Sequence, residues 1–127
     1  MSGEPCPCGA DTGYEHCCGP VHRKGAGLGT TAEALMRARY SAYVRGDESF
    51  LAGSWHPDTK PHPIAPDPEI VWTGLEIVAT DGGSGLDREG MVEFRAHYEL
   101  DGRRHQLHER SRFVRLGGQW VYVDGNG

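Results

Sequence analysis

The sequence predicts an α+β fold, an antiparallel sheet curved over helices that precede it in the chain. Three observations carry the prediction. Runs rich in β-branched and aromatic residues flank Gly117-Gly118, similar runs flank Asp101-Gly102, and the chain before them holds a helix-periodic apolar stripe. With Gly117-Gly118 as a two-residue turn, Leu116 faces Gln119, Arg115 faces Trp120, Phe113 faces Tyr122 and Ser111 faces Asp124. With Asp101-Gly102 as the second turn, Tyr98 faces His105, Ala96 faces Leu107, Phe94 faces Glu109 and Val92 faces Ser111. Both turns put Val92, Phe94, Ala96, Tyr98, Leu107, Phe113, Trp120 and Tyr122 on one side, and Glu93, Arg95, His97, His108, Arg110 and Arg112 on the other. Two independent turns that agree on one inward face define a register.

At 127 residues the chain has room for one ordinary core and a small appendage. A net charge of −5 argues against nucleic acid or an anionic membrane surface as partner. No apolar run reaches the ~18 residues of a membrane span, and the N-terminus lacks a signal-peptide profile. The expected location is the cytoplasm, where four clustered cysteines are metal ligands rather than disulfides.

Those cysteines open the chain. Residues 5 to 18 read Pro-Cys-Pro-Cys-Gly-Ala-Asp-Thr-Gly-Tyr-Glu-His-Cys-Cys, two close pairs joined by a short loop. Cys6, Cys8, Cys17 and Cys18 are the expected ligands of one structural zinc ion, and His16 and His22 are alternatives to a cysteine. So short a segment buries no core of its own, and metal binding would supply its folding energy.

Cys6-Pro-Cys8-Gly, with Tyr14 and Cys17-Cys18-Gly19, resembles the SEC-C zinc knuckle known from the tail of the SecA preprotein translocase. The resemblance extends through the stretch from Thr31 to Tyr43, Trp55-His56-Pro57, Trp72-Thr-Gly-Leu-Glu and Leu107-His-Glu-Arg-Ser-Arg-Phe-Val to the uncharacterised YchJ family. It implies a knuckle and linker at residues 1–29, then a nuclear-transport-factor-two-like domain at residues 30–127, a cystatin-like α+β cone. It assigns no biochemical role. Knuckles of this type usually carry Ser-Gly-Lys where this chain has Ala10-Asp11-Thr12, and often end Cys-His where this one ends Cys17-Cys18.

Residues 19 to 29 have the composition of a linker or draped loop. Thr30 or Thr31 then caps a helix running to about Arg45 and stopped by Gly46. Its stripe is Ala32, Leu35, Met36, Tyr40 and Tyr43, and Arg39 falls on it. A buried arginine needs a partner, so Arg39 either pairs with Glu109, Asp124 or both, or snorkels to the helix edge. Asp47 caps a short second helix carrying Phe50, Leu51 and Trp55, and residues 57 to 68, with five of the eight prolines, form a loop. Ile70 to Thr80 and Met91 to Leu100 read as strands, joined by a glycine-rich connection.

The candidate pocket under the helix comprises Arg39, Tyr43, Trp55, Phe94, Glu109, Ser111, Phe113, Tyr122 and Asp124. No catalytic residue is identified, because the inward face offers carboxylates but no evident activated nucleophile. Three functions compete: an adaptor whose knuckle docks on a cytoplasmic protein assembly, a small-molecule binder or enzyme built on the cone pocket, and a redox or metal-handling device. The first ranks ahead, binding rather than chemistry. The resemblance to the translocase tail implies a chaperone or ribosome as partner, which the absence of the usual basic stretch at Ala10-Asp11-Thr12 weakens.

Overall fold

The computed structural model describes residues 5–9, 13–27, 29–61, 64 and 67–126. Three helices lead into one antiparallel sheet: α1 (Cys18–Lys24), α2 (Ala32–Arg45), α3 (Glu48–Gly53), then β1 (Val71–Gly82), β2 (Glu89–Leu100), β3 (Arg103–Leu116) and β4 (Gln119–Asn126). The strands lie in chain order, β1-β2-β3-β4, each paired with the next. This is the expected α+β cone.

Both turns stand where the sequence puts them. Gly117 and Gly118 have φ of 61° and 84°, Asp101 and Gly102 of 55° and 76°, the two positive values of a type I′ hairpin. All four expected β2–β3 pairs form, Val92 with Ser111 through Tyr98 with His105. On the inward face Val92, Phe94, Ala96, Phe113 and Trp120 are buried together with Leu35, Met36 and Tyr40 of α2. On the outward face ion pairs link Arg95 to Glu76, His108 to Glu93 and Arg112 to Asp124.

The β3–β4 register departs from expectation at one point. Phe113 faces Tyr122, but Arg112 faces Asp124 and Ser111 faces Gly125, because a bulge absorbs Val123. One extra residue reverses every side chain beyond it.

Helix α2 matches its signals: Thr31 Oγ1 accepts from the Ala34 N–H, and Gly46 ends the helix in the left-handed region. Asp47 caps α3, but that helix stops at Gly53, and Trp55 instead bridges to Tyr122 of β4. Backbone bonds from Tyr122 N to Ser54 O and from His56 N to Tyr122 O cover the edge strand. Of the proline-rich loop, residues 62, 63, 65 and 66 lie outside the described residues.

Residues 19 to 29 are not simply a linker. Cys18–Lys24 is helical, with Pro20 in its first turn, where a missing N–H costs nothing, and Gly25 at φ 83° ending it. Beyond it, Arg115 stitches the loops together. Its guanidinium donates to the carbonyls of Gly27, Thr30, Gly85, Asp87 and Gly118 and lies 4.4 Å from the Trp120 ring centre.

Candidate functional site

Two constellations stand out, one at each side of α2. The first is the cysteine cluster. Pro5 bridges to Gly13, a short 3-10 turn at Tyr14–His16 follows, and Cys17-Cys18 opens α1, so the two pairs meet. Their four Sγ atoms lie within 4.8 Å of one another. Cys8 Sγ is 3.5 Å from Cys17 Sγ, which is 4.0 Å from Cys18 Sγ, either side of the about 3.8 Å sulfur–sulfur edge that a tetrahedron of 2.3 Å zinc–sulfur bonds requires. No disulfide joins them.

The donor set suits a closed four-thiolate metal site. Without a cation, burial and the neighbouring thiols push Cys17 up to about 12, while hydrogen bonding to Cys8 and burial push Cys18 well above the usual thiol range. A divalent ion would reverse that preference by holding the thiolates. Ala10-Asp11-Thr12, where this chain departs from the usual knuckle, lies outside the described residues.

His22 is committed elsewhere. Its Nε2 lies 2.7 Å from the Ala38 carbonyl and its Nδ1 2.6 Å from the Tyr14 hydroxyl. With Nε2–H donating to the carbonyl, Nδ1 accepts from the phenol, and neither nitrogen remains for a metal. The histidine thus ties the knuckle to α2. Arg37 adds a second tie by donating to the Cys8 carbonyl at 3.3 Å, while Glu33 holds its guanidinium at 2.9 Å. Cys6, Cys8 and Cys18 are buried in the same apolar cluster as Leu35, Met36 and Phe94. The knuckle is welded to the cone.

The second constellation is a cavity of about 220 Å³ between α2 and the sheet. Of the expected pocket residues, Arg39, Tyr43, Trp55, Phe94, Glu109, Ser111 and Tyr122 line it. Phe113 is fully buried behind Tyr122, their ring centres 5.8 Å apart. Asp124 belongs to the opposite face, where Arg112 grips both its oxygens at 2.8 and 3.0 Å. The bulge at Val123 is the cause of that correction.

Arg39 neither snorkels nor forms the expected ion pair. It is 3% exposed, and Nη1 donates to Ser54 Oγ at 2.7 Å and to the Leu51 carbonyl at 3.1 Å. Trp55 and Tyr122 present their ring faces to the guanidinium at 4.8 and 4.6 Å. No carboxylate of the described residues comes within 4.0 Å of it. Burial lowers its pKa to about 10, which still leaves it charged at neutral pH.

Glu109 sits across the cavity, its Oε1 accepting from Ser111 Oγ at 2.9 Å and from the Tyr122 hydroxyl at 3.3 Å. Gly125, opposite Ser111, makes room for that carboxylate, since an added Cβ would run into it. Met36, Tyr40, Trp72, Ala96 and Leu107 complete the lining. The stripe and the register already carried all of these except Trp72, whose strand no short turn connects to the rest. The roles of Arg37, His22 and Arg115 gave no local signal, because each reaches a backbone carbonyl distant in sequence: Cys8, Ala38 and, for Arg115, Gly27 and Thr30.

Comparison with known proteins bears on the fold and on the N-terminal motif. A family model described as the YchJ middle NTF2-like domain matches residues 31–125. A UPF0225 protein of Streptomyces coelicolor is 52% identical over 125 residues, covering 98% of this chain and 97% of the relative. A UPF0225 protein of Deinococcus radiodurans is 43% identical, covering 95% of this chain and 88% of its own. The solution structure of a SEC-C motif containing protein from Rhodopseudomonas palustris superposes with a TM-score of 0.83 at 28% identity, covering 100% of this chain and 98% of the other. The crystal structure of such a protein from Psychrobacter arcticus gives 0.73 at 30% identity, covering 94% and 80%.

Proposed function

From the premise that the chain belongs to the YchJ-like family, we propose that it is a binding protein in which a zinc-loaded knuckle braces a ligand pocket in the cone. Cys6, Cys8, Cys17 and Cys18 would hold the ion, whose chemistry there is structural because four thiolates leave no open position. The observation that carries the reading is one run of α2. Arg37 reaches the Cys8 carbonyl, the Ala38 carbonyl meets His22, and Arg39 enters the pocket. Three consecutive residues therefore bind the knuckle to the one buried cation that lines the pocket among the described residues.

An adaptor docking through the knuckle is the second reading, and the solved relatives' SEC-C motif favours it. Against it, three of the four cysteines are turned into the chain's own core. A cytoplasmic location, which keeps the thiols reduced, belongs to both readings. The test is a fragment screen by protein NMR on the metal-loaded full chain. Hits of any charge type that shift Arg39, Ser111 and Tyr122 and weaken after metal removal support the braced pocket. A knuckle-dependent protein partner, with no fragment perturbing those residues, would establish the adaptor instead.

A further inference from the structure

The chemistry of the cavity, on the reading that it is the working pocket, selects a class of ligand. Half of its lining residues carry rings: Tyr40, Tyr43, Trp55, Trp72, Phe94 and Tyr122. At about 220 Å³ it exceeds the roughly 150 Å³ of an apolar cavity that takes up benzene, so one substituted ring fits. The polar groups are unevenly provided for. Glu109 Oε1 already accepts from two hydroxyls. Arg39, by contrast, is a buried guanidinium whose hydrogen-bond partners, the Ser54 hydroxyl, the Leu51 carbonyl and the Tyr43 phenol, are all neutral oxygens. Trp55 Nε1 is buried and has no acceptor. A buried cation with no anion in contact, Glu109 acting on it only from across the cavity, and a buried N–H without an acceptor both call for an acceptor group, and retaining them costs stability otherwise.

We propose that the pocket binds a small planar carboxylate, an aromatic or unsaturated monocarboxylic acid, with its ring among the aromatic side chains and its carboxylate on Arg39. The planar guanidinium fork suits a carboxylate, and the flat rings suit a flat body. An amine would bring a second cation beside Arg39 and could turn only to Glu109. An uncharged ring would leave the guanidinium with no anion in contact.

The experiment is an NMR titration of the metal-loaded full chain at 0.15 M salt with three probes of one shape: sodium benzoate, benzamide and benzylamine. Benzoate is expected to saturate shifts at Arg39, Ser111 and Tyr122, with benzamide at least about tenfold weaker and benzylamine weaker still. Arg39→Met should abolish benzoate binding. Trp55→Phe, which keeps a ring and loses the N–H, should weaken it several-fold and serves if the first variant does not fold. Benzamide or benzylamine binding in the pocket as tightly as benzoate would overturn the carboxylate class and leave the pocket reading standing. Benzoate shifts confined to the outward arginines Arg95 and Arg110 would likewise overturn the proposal. If no fragment of any charge reached Arg39, Ser111 and Tyr122, the pocket reading itself would fail.

Discussion

The guanidinium carbon of Arg39 lies 4.6 Å from the centre of the Tyr122 ring, whose hydroxyl donates to Glu109 at 3.3 Å. Tyr122 therefore stands between the buried cation and the one carboxylate of the cavity, and couples them without letting them touch. The aromatic face offsets part of the cost of burying Arg39, while burial and the Glu109 charge raise the Tyr122 phenol well above its usual range. An ion pair in direct contact would have consumed both charges. This arrangement leaves the cation available.

Arg39→Met should leave thermal stability unchanged or raise it. Replacing a buried charge that has no carboxylate in contact by an apolar side chain of similar length relieves its desolvation cost. The Ser54 hydroxyl keeps a partner, since it also donates to the Phe50 carbonyl at 2.7 Å. Calorimetry of the variant checks this. A loss of ~3 kcal/mol or more would mean that Arg39 is there for structure.

Arg115→Lys should destabilise by about 2–3 kcal/mol, measured by denaturant unfolding. Lysine cannot span the five carbonyls that this fork holds in three separate loops, and each lost bond to a charged donor is costly. An unchanged midpoint would show that the loops hold themselves.

Gly125→Ala should displace the Glu109 carboxylate and lower stability by ~1–3 kcal/mol, because the new Cβ occupies the carboxylate's place. The accompanying chemical-shift change should centre on Glu109, Ser111 and Tyr122. A silent substitution would mean that Glu109 lies elsewhere.

Arg112 holds the Asp124 carboxyl below its usual 3.8 through a side-chain hydrogen bond. A lowered acid pKa contributes stability above 3.8 that is lost as pH falls through the folded value. Asp124→Asn should therefore be slightly less stable than the parent at pH 7, the difference shrinking below pH 4. The pair is exposed and the effect small. A difference that grew with acid would reverse the sign and place Asp124 in another environment.

The legible parts of this molecule are those with short-range punctuation. Gly117-Gly118 and Asp101-Gly102 set the registers of β2, β3 and β4, and Thr31 and Gly46 bounded α2. The bulge at Val123 is not legible because Trp-Val-Tyr-Val-Asp alternates cleanly and nothing marks the extra residue, so the pattern alone points Asp124 inward. Helix α1 escaped because its glycine and proline read as linker, although Pro20 near its start and Gly25 at its end are helix-boundary residues. Trp72 escaped because residues 83–88 form too long a connection to transmit a register. At the cysteines, spacing sufficed to find the cluster. It could not reveal that Arg37 and His22 would fasten it to α2.

Whether a metal-loaded knuckle braces the pocket is read by a residue-resolved NMR comparison of the full chain before and after removal of bound metal with a chelator. One equivalent of zinc should be released, with loss of ordered signals over the knuckle. Clear shifts should also appear at Arg37, Ala38, Arg39 and Tyr122, while the hairpin turn at Gly117-Gly118 stays as it was. Changes confined to residues 5–24, with Arg39 and Tyr122 untouched, would contradict the bracing.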